Sequence, residues 1–385
     1  MTAQRVGAGP VAQGSLPGIL AALRCRVSSR TRHPPRLASV AVPSFSTQVV
    51  TDLISEREGL QRVGLGSGRR AYVLTQLIGR VSVGDAVVVN TTAVDLGLGT
   101  GGWDVVHWNL ARSEFSAAGP GHVMKLRYTS LQCDTGVTEE YEGYGAPASL
   151  AGVPVVACAL HSQVGVVAVV FKHLAPARRL AFVMTDSAAL PLALSDLVAD
   201  LRAKGLLDAT ISAGQAFGGD LEAVNVRSAL DVAVSAGADA VVVAPGPGTV
   251  GTGTAHGYGA LEVASTLDLA ERAGARPVLA LRVSGADPRP RHRGVSNHST
   301  VALAHAHAKA LVPVPKGQPA PDGPGHEFLE VDIPDVASLL EGLGLRLTTM
   351  GRVVAEDPQF FAYAAAAGVA AATVCARPDS SVAPS

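Results

Sequence analysis

Charged side chains are scarce in this sequence, and neither sign dominates. Aspartate, glutamate, lysine and arginine make up 16% of the 385 residues, against roughly 25% in an average soluble chain. The 31 basic and 32 acidic side chains leave a formal net charge of -1. Because contacts to nucleic-acid phosphates need a surplus of lysine and arginine, the composition argues against a nucleic-acid-binding protein. The hydrophobic share of 48% argues equally against a disordered chain.

Cysteine is scarce as well. The four cysteines stand far apart and form no C-x-x-C pair: Cys25, Cys133, Cys158 and Cys375. A disulfide-rich scaffold and a structural zinc site both need closer spacing. We interpret the cysteines as reduced thiols of a cytoplasmic protein and predict no metal ligands. The pattern names no cofactor.

Acidic residues are absent from the first 51 positions, which carry six arginines. This composition is typical of a transit peptide. It is equally compatible with a disordered tail, or with a start codon placed too far upstream. We interpret residues 1–35 as a leader that is disordered or dispensable.

An uninterrupted hydrophobic run of membrane-spanning length is also lacking. Val153–Phe171 has 19 residues without a formal charge, close to the ~20 that a span needs. His161, Ser162 and Gln163 interrupt it at its centre, where hydrocarbon penalises polar groups most. The stretch therefore predicts two buried strands joined by a turn, and we expect no membrane contact.

The sequence does contain a clear change in the pattern of predicted secondary structure near residue 150. Residues 36–150 hold short apolar runs between glycines, which predict a small β-rich, barrel-like domain. Residues 151–350 alternate strand-like and helical stretches, which is typical of an α/β fold with a mostly parallel sheet and flanking helices, Rossmann-like. Residues 351–385 are predicted to form a C-terminal helix and a tail. At 13 residues, the helix Phe360–Ala372 is too short to span a bilayer.

The predicted elements of the α/β domain follow from apolar runs and helical periodicity. Strands are predicted at Arg179–Met184, Asp208–Ser212, Ala238–Ala244, Arg276–Val283 and Glu327–Asp332. Helices are predicted at Leu190–Lys204, Leu221–Ala236, His256–Ala273, Thr300–Leu311 and Asp335–Leu343. The Pro/Gly-rich stretch Pro313–Gly325 is predicted to interrupt the core.

Polar and glycine-rich segments follow the predicted strands. They are Leu160–Gln163, Met184–Asp186, Ser212–Asp220, Pro245–Thr254 and Ser284–His298. Ligands of open parallel sheets bind beyond the carboxyl ends of the strands, and right-handed crossovers bring those ends to one edge. We call this edge the carboxyl edge and predict one site there. His161, Gln215 and Asp220 are predicted to lie on it, although a satisfied core histidine and a helix N-cap are the alternatives for His161 and Asp220.

One of these segments matches the glycine pattern of dinucleotide-binding loops, Gly246-x-Gly248-x-x-Gly251. Glycine is common here, and Gly97-x-Gly99-x-x-Gly102 matches too, so the pattern is weak. The next strand ends without the acidic residue that holds a ribose, and no Walker lysine follows. The loop predicts an anion site at a helix N-terminus, with a tight turn as the alternative. The predicted anion-binding residues are Gly246, Gly248, Thr249, Gly251, Thr252, Gly253, Thr254, Arg289, Arg291 and Arg293.

Three residues are candidates for acid–base catalysis. Asp186 ends a strand as a carboxylate and is predicted to be the general base, with a helix cap or metal ligand as alternatives. His292 and His298 are predicted acids, because imidazole titrates near neutrality. The arginines around them are predicted to clamp an anion through bidentate contacts, with a solvated loop as the alternative.

These segments together resemble a bacterial family catalogued as domain of unknown function 3866. The resemblance rests on motifs in order over residues 42–350, among them NTTAVDLGLGTGG, GHVMKLRYTSLQ, MTDSAALP, GQAFGGDLEAVNV, GPGTVGTGTAHGYG and RHRGVSNHS. The family pattern has Ser-His-His where this chain has Ser296-Asn297-His298. The resemblance implies no reaction.

Two classes of function remain open. The first is an enzyme acting on a phosphorylated or otherwise anionic small molecule at the carboxyl edge, with a nicotinamide-dependent oxidoreductase as a variant that the missing acidic residue opposes. The second is a non-catalytic ligand-binding sensor or scaffold. The expected partner is an anionic small molecule, and neither nucleic acid nor membrane. The chain is compatible with a homo-oligomer.

Overall fold

The structure, a computed structural model, describes residues 43–117, 119 and 121–376. The predicted leader, residues 1–35, lies outside the described residues. Within them, a closed five-stranded barrel is followed by an eight-stranded sheet with helices on both faces. This confirms the predicted α/β class with a β-rich, barrel-like first part.

The barrel encloses a small apolar core, and the alternation of buried and more exposed side chains is clearest in β3 and β4. The strands are β1 (Phe45–Arg57), β2 (Leu60–Leu65), β3 (Arg70–Leu74), β4 (Ala86–Asn90) and β5 (Trp103–Asn109). In the order β1-β2-β3-β5-β4 they close on themselves, so no sheet edge stays unpaired. Ala71, Val73, Val87 and Val89 are buried inside, while the residues between them are not. Short helices α1 (Thr75–Ile78) and α2 (Thr92–Asp95) lie in the connections.

A buried lysine joins the barrel side of the chain to the sheet. It lies in the hairpin of β6 (Met124–Lys125) and β7 (Cys133–Asp134). The Lys125 ammonium donates to the carbonyl of Gly214 at 2.7 Å. It also lies 3.3 Å from Glu222 Oε2, an ion pair without hydrogen-bond geometry. Burial raises the pKa of Glu222 to about 7, although Lys125 opposes the shift. Because Lys125 is 1% exposed, the hairpin is fixed firmly to the sheet.

The large sheet is parallel throughout. Its strands are β8 (Pro154–Cys158), β9 (Leu180–Thr185), β10 (Ala209–Ala213), β11 (Leu221–Ala223), β12 (Ala240–Pro245), β13 (Arg276–Ala280), β16 (Leu311–Pro315) and β17 (Glu327–Val331), in the order β11-β10-β9-β12-β8-β13-β16-β17. A small antiparallel pair, β14 (Val283–Ser284) and β15 (Gly294–Val295), follows β13. Buried on both faces, the central strands are continuous apolar runs, as parallel strands usually are.

In the described part of the chain, seven helices cover the two faces of the sheet. They are α3 (His161–Leu174), α4 (Asp196–Ala203), α5 (Val226–Ser235), α6 (Glu262–Arg272), α7 (Asn297–His305), α8 (Val336–Gly342) and α9 (Pro358–Ala376). Alternate residues of each strand separate the cores: Val156 and Cys158 pack with α3, α4, α8 and α9. Val155 packs on the opposite face, whose helices are α5, α6 and α7. Since α3 follows β8 on one face and α6 follows its neighbour β12 on the other, a crevice opens between these strand ends.

The second half of Val153–Phe171 was predicted as a strand, and that prediction is wrong. Only β8 is a strand, and His161 begins the helix α3. Val164–Phe171 is buried throughout, between the sheet and α9. A helix buried all round has no polar face, and its valines imitate strand composition, so periodicity could not distinguish the two.

Other predicted boundaries also fail. The predicted helix at Leu221–Ala236 begins with the strand β11, and α5 starts only at Val226, capped by Asn225. The predicted helix Thr300–Leu311 is shifted, because α7 ends at His305 and Leu311 opens β16. The predicted interruption at Pro313 is wrong as well, since β16 includes Pro313 and Pro315. β13 pairs with β16 only through Val278 and Leu311, so the missing proline N–H groups cost little there.

The C-terminal helix exists but is longer than predicted. α9 runs for 19 residues, so length alone does not exclude a membrane span as the 13-residue estimate did. Among the described residues it is the one helix apolar and long enough for a span, and 61% of its apolar window is buried. Gly368 lets it approach α3, because a Cβ there would lie 2.9 Å from the Val167 carbonyl oxygen. The helix therefore packs as part of the core.

Candidate functional site

A pocket opens at the carboxyl edge, where the ends of β8, β12 and β13 meet. Its volume is about 650 Å³, within the range of small-molecule sites. We call it the basic pocket, since four arginines and two aspartates line it: Arg282, Arg289, Arg291, Arg346, Asp196 and Asp200. The barrel contributes Gly99 to its wall. Three of the five predicted strand-end segments line this cavity, and the segments Met184–Asp186 and Ser212–Asp220 do not.

The basic pocket collects about half of the predicted site residues. Its lining includes His161, Gly248, Thr249, Gly251, Thr252, Arg289, Arg291, His292 and His298. Other predicted residues in the described part of the chain do not line it: Asp186, Gln215, Asp220, Gly246, Gly253, Thr254 and Arg293.

The glycine loop does not open a helix, contrary to expectation. Gly251 bridges to Tyr258, and a 3-10 turn at Gly259–Leu261 separates the loop from α6. Thr252 Oγ1 contacts Thr254 Oγ1 at 2.8 Å and accepts the Thr254 amide, which closes the tip on itself. The predicted helix N-terminal cradle is therefore wrong.

The first half of the loop keeps free donors. In the described chain, the amides of Gly248, Thr249 and Val250 have no acceptor, and all three residues line the pocket. Gly248 has φ +88° with open space around it. Gly246 instead has a packing role, since a Cβ there would lie 2.2 Å from the Ala189 carbonyl oxygen. Successive amides of this kind suit an anion.

Arg282 was read in the sequence only as a missing acidic residue, yet it is central to the pocket. It follows β13 and is 4% exposed. Its guanidinium donates to Asp287 Oδ2 at 3.2 Å and to His298 Nδ1 at 3.1 Å. Burial, followed by the charge of Arg289, lowers the pKa of Arg282 to about 10. A buried cation of this kind is stabilised by negative charge placed next to it.

Asp287 pairs with two arginines of the pocket, Arg282 and Arg289. It accepts two hydrogen bonds from the Arg289 side chain, at 2.9 and 2.8 Å. These bonds, chiefly, hold the pKa of Asp287 well below its usual value. Arg289 is therefore oriented by a carboxylate rather than free to clamp a ligand with its whole fork.

The cluster carries more positive than negative charge. A second buried carboxylate, Asp357, accepts from Ser284 at 2.5 Å and from Arg352 at 3.1 Å. Three guanidinium groups (Arg282, Arg289 and Arg352) thus face two carboxylates. In the described ranges, Arg291 and Arg346 add two more charges without a carboxylate partner.

His292 is buried and oriented by two neighbours. Its Nε2 accepts from Arg291 Nε at 3.1 Å, so its proton is assigned to Nδ1, which donates to Ser296 Oγ at 2.8 Å. Burial first, then the charge of Arg282, lowers the pKa of His292 to about 4. The ring is therefore neutral at pH 7 and is a poor proton donor in the predicted role of acid.

His298 lies at the start of α7, stacked on Tyr258 with ring centroids 3.9 Å apart. Because its Nδ1 accepts from Arg282, its proton is assigned to Nε2. Burial and then Arg282 lower the pKa of His298 to about 3. The stacked Tyr258 has a buried hydroxyl without a hydrogen-bond partner among the described residues. Buried hydroxyl groups are normally paired, and Tyr258 itself does not line the pocket.

His161 connects the end of β12 to the start of α4. Its Nδ1 lies 3.0 Å from the carbonyl oxygen of Pro245, at the end of β12. Its Nε2 lies 2.6 Å from Ser195 Oγ, at the start of α4. Burial lowers the pKa of His161 to about 4, so this imidazole is also neutral.

Asp186 lies on the carboxyl edge but away from the basic pocket. It is exposed, and its Oδ2 accepts the amide of Gln215 at 2.9 Å. The Gln215 side chain in turn accepts the Arg127 amide at 3.4 Å. Asp186 thus braces a loop, and within the described ranges it forms no hydrogen bond with a histidine of the pocket.

Asp220 is a loop brace as well, and the prediction that it caps a helix is wrong. Its carboxylate accepts from the amide and hydroxyl of Thr210, at 2.9 and 2.8 Å, and pairs with Arg202. The cap position belongs to Asn225 because β11 intervenes.

Several residues of the pocket escaped the sequence analysis. Arg346, Asp196 and Asp200 come from helices or distant loops whose composition is ordinary. The scarcity of charge was the available signal, since isolated arginines and aspartates in such a chain deserve inspection. Asn297 is exposed, whereas His298 is buried, so these adjacent positions do not share a site. Across the described ranges, no group of three His, Cys, Asp or Glu residues could hold a metal ion.

The comparison with protein families matches residues 70–368 to the family described as "Protein of unknown function (DUF3866)". The chain belongs to this family. The match begins in β3 and ends within α9, so it leaves out β1 and β2 of the barrel and includes the whole basic pocket. No curated protein matches the chain.

Proposed function

We propose that the chain is an enzyme acting on a phosphorylated or otherwise anionic small molecule, which binds in the basic pocket. The observation that supports this best is the surplus of guanidinium groups over carboxylates around a 650 Å³ cavity at the carboxyl edge. A surplus held in a partly buried site has a large unfavourable energy, which an anion offsets.

The protonation of the neighbours supports the same conclusion. The pKa values of His292, His298 and Arg282 are all lowered, by burial first and then by nearby guanidinium charge. A pKa lowered by neighbouring guanidinium groups means that the side chain lies in a positive electrostatic potential. The same potential attracts phosphate, sulfate or carboxylate groups.

Three kinds of donor can share the anion. The free amides of Gly248 and Thr249 provide backbone donors, as in other phosphate-binding loops. Arg291 provides its outer nitrogens, since only its Nε is used by His292. The assigned proton on His298 Nε2 provides a neutral donor.

The two histidines at the arginine cluster have different roles in this proposal. His298 keeps its Nε2 proton for a ligand, whereas both ring nitrogens of His292 are hydrogen-bonded to Arg291 and Ser296, so His292 fits an orienting role better than the predicted acid role. Asp186 lies outside the pocket lining, so it can act as a base only on a ligand that extends along the edge.

The proposal is tested by titration with inorganic phosphate, pyrophosphate and citrate, followed by thermal unfolding. We expect stabilisation that saturates, and an affinity about tenfold weaker in Arg291→Ala, because one charge-assisted contact is removed. Arg272→Ala, which removes an exposed arginine of α6, is the matched control and should keep the wild-type affinity. Equal weakening in both variants, or no saturable stabilisation, would contradict an anion site here.

A ligand-binding sensor is the second candidate, because both ring nitrogens of His161 and His292 are already hydrogen-bonded and the predicted base Asp186 lies elsewhere. Mass spectrometry of a broad metabolite mixture before and after incubation separates the two. An enzyme depletes one anionic compound and produces another. A sensor retains one compound through gel filtration without changing it.

A further inference from the structure

A second cavity lies between the barrel and the sheet domain. Its volume is about 600 Å³, and we call it the interdomain cleft. Arg57 and Gln76 of the barrel line one side, and Ser195, Val198 and Gly218 line the other. His161 of the basic pocket stands behind Ser195.

The hydrogen bonds of His161 have a fixed direction. The Pro245 carbonyl oxygen can only accept, so the imidazole proton must lie on Nδ1, 3.0 Å away. Nε2 therefore carries the lone pair, and the Ser195 hydroxyl donates to it across 2.6 Å. A serine whose proton is held by a neutral, oriented imidazole is the usual arrangement of an activated nucleophile. The carbonyl takes the orienting place that a carboxylate has in a catalytic triad.

Backbone donors stand next to the same hydroxyl. Ser195 is the N-cap of α4, and its Oγ accepts the amide of Val198 at 3.0 Å. The amides of Asp196 and Leu197, the first two of the helix, have no acceptor in the described chain. Amides that follow a nucleophile at a helix start can stabilise a developing oxyanion.

The barrel holds this segment in place. Arg57 donates to the carbonyl of Ala193 at 2.6 Å and pairs with the Asp196 carboxylate. Arg62 donates to both oxygens of that carboxylate, at 2.7 and 2.8 Å. The Asp196 side chain is therefore turned towards the barrel, and it does not compete for the helix amides.

We propose that Ser195 and His161 form a nucleophile–base pair that transfers the acyl group of a small carboxylic ester entering the interdomain cleft. This goes beyond the anion site, although His161, Asp196 and Leu197 also line the basic pocket on the other side of Ser195. Ser195 Oγ attacks the ester carbonyl while its proton passes to His161 Nε2. The tetrahedral oxyanion meets the amides of Asp196 and Leu197. It collapses with loss of the alcohol, which takes the proton from His161. Water, deprotonated by His161, then releases the acid and restores the serine.

The experiment uses the full chain with an alkyl fluorophosphonate, which labels activated serines, and with p-nitrophenyl acetate. Peptide mass spectrometry should find the fluorophosphonate on Ser195 and not on Ser296, the N-cap of α7, which serves as an internal control. Ser195→Asn keeps a helix-capping side chain and should lose the label together with at least about 99% of the esterase activity. Ser338→Ala, which removes an exposed serine near the start of α8, should keep both.

The pH profile distinguishes activation from mere accessibility. Burial and the Pro245 carbonyl are the only causes that act on the pKa of His161, at about 4. The labelling rate should therefore be flat from pH 5 to 8 and fall near pH 4, when the imidazole becomes protonated. An unlabelled Ser195 in the folded wild type overturns the proposal. So does unchanged p-nitrophenyl acetate hydrolysis in Ser195→Asn.

Discussion

Two serine–histidine pairs lie at the carboxyl edge, and they differ in the direction of one proton. Both serines are helix N-caps: Ser195 contacts His161 at 2.6 Å, and Ser296 contacts His292 at 2.8 Å. Both histidines have pKa values near 4. The group on the far nitrogen separates them, because His161 faces a carbonyl oxygen and His292 faces the guanidinium of Arg291.

That difference assigns opposite chemistry to similar side chains. A carbonyl forces the proton onto the far nitrogen and leaves the near one free to accept from serine. A guanidinium does the reverse, so His292 donates to Ser296 and cannot act as its base. The hydrogen-bond partner on the far nitrogen of the histidine therefore decides whether the serine is activated or merely oriented.

The largest expected effect concerns Asp287, the carboxylate that pairs with Arg282 and Arg289 in the basic pocket. Asp287→Asn should lower the free energy of unfolding by about 3–5 kcal/mol, since it leaves buried guanidinium groups without their shared partner. Urea unfolding measures this. Phosphate should restore more stability to the variant than it adds to the wild type. Asp332→Asn, at an 85% exposed side chain, is the control, and a loss as small as its own would contradict the role of Asp287.

The next effect isolates the activated pair. His161→Gln should slow fluorophosphonate labelling of Ser195 by about 100-fold, because glutamine does not take the serine proton. His173→Gln changes an exposed histidine near the other end of the same helix and should leave the rate unchanged. The labelling rate of the Ser195 peptide is the measurement. Equal rates in the two variants would remove the distinction between the serines.

The three histidines of the basic pocket should make the free energy of unfolding depend on pH. His161, His292 and His298 have folded pKa values of about 4, 4 and 3, below the ordinary value near 6.5. The unfolded chain thus binds more protons between these limits, and stability falls as the pH drops from about 6.5 towards 4. Each histidine contributes a slope of about 1.4 kcal/mol per pH unit.

Urea unfolding at pH 4.5 to 7 measures that slope. His161→Gln should remove about one third of it, and His173→Gln should remove none. A slope that is the same in His161→Gln and wild type would place the His161 pKa near its ordinary value, where it could not serve as a base at low pH.

The smallest effect concerns Tyr258, which stacks on His298 with a buried, unpaired hydroxyl. Tyr258→Phe should leave the unfolding free energy unchanged or raise it by up to about 1 kcal/mol, since no hydrogen bond is lost. Phosphate affinity reports separately whether the hydroxyl meets the ligand. A loss of more than about 1 kcal/mol in the free protein would mean that the hydroxyl has a partner.

The sequence predicted the architecture because strands and their polar ends leave local signals. β9, β10, β12 and β17 lie within two residues of the predicted strands. Helix α3 was missed because burial on every side removes the polar face that periodicity needs. β16 was missed because its prolines usually mark loops, and the reduced pairing with β13 that tolerates them is a tertiary property.

The site was predictable only as a neighbourhood. Glycine and arginine segments at strand ends indicated the carboxyl edge, and His292, His298 and Gly248 do line one pocket. The pairing of Ser195 with His161 joins residues 34 positions apart, and nothing in the chain marks its direction. Arg282 was missed for a different reason. The sequence analysis noted only that this strand ends without an acidic residue, and it did not consider the arginine at that position.

The position of α9 has a consequence for how the chain is made. This helix covers β8 and β13 in the centre of one face, yet it follows β8 by roughly 200 residues. At ribosomal rates that interval is roughly 10–40 s. Throughout it, the part of this face that α9 covers stays open, although α3 and α4 already pack beside it. A nascent chain stalled before Pro358 should therefore be a chaperone client and a protease substrate.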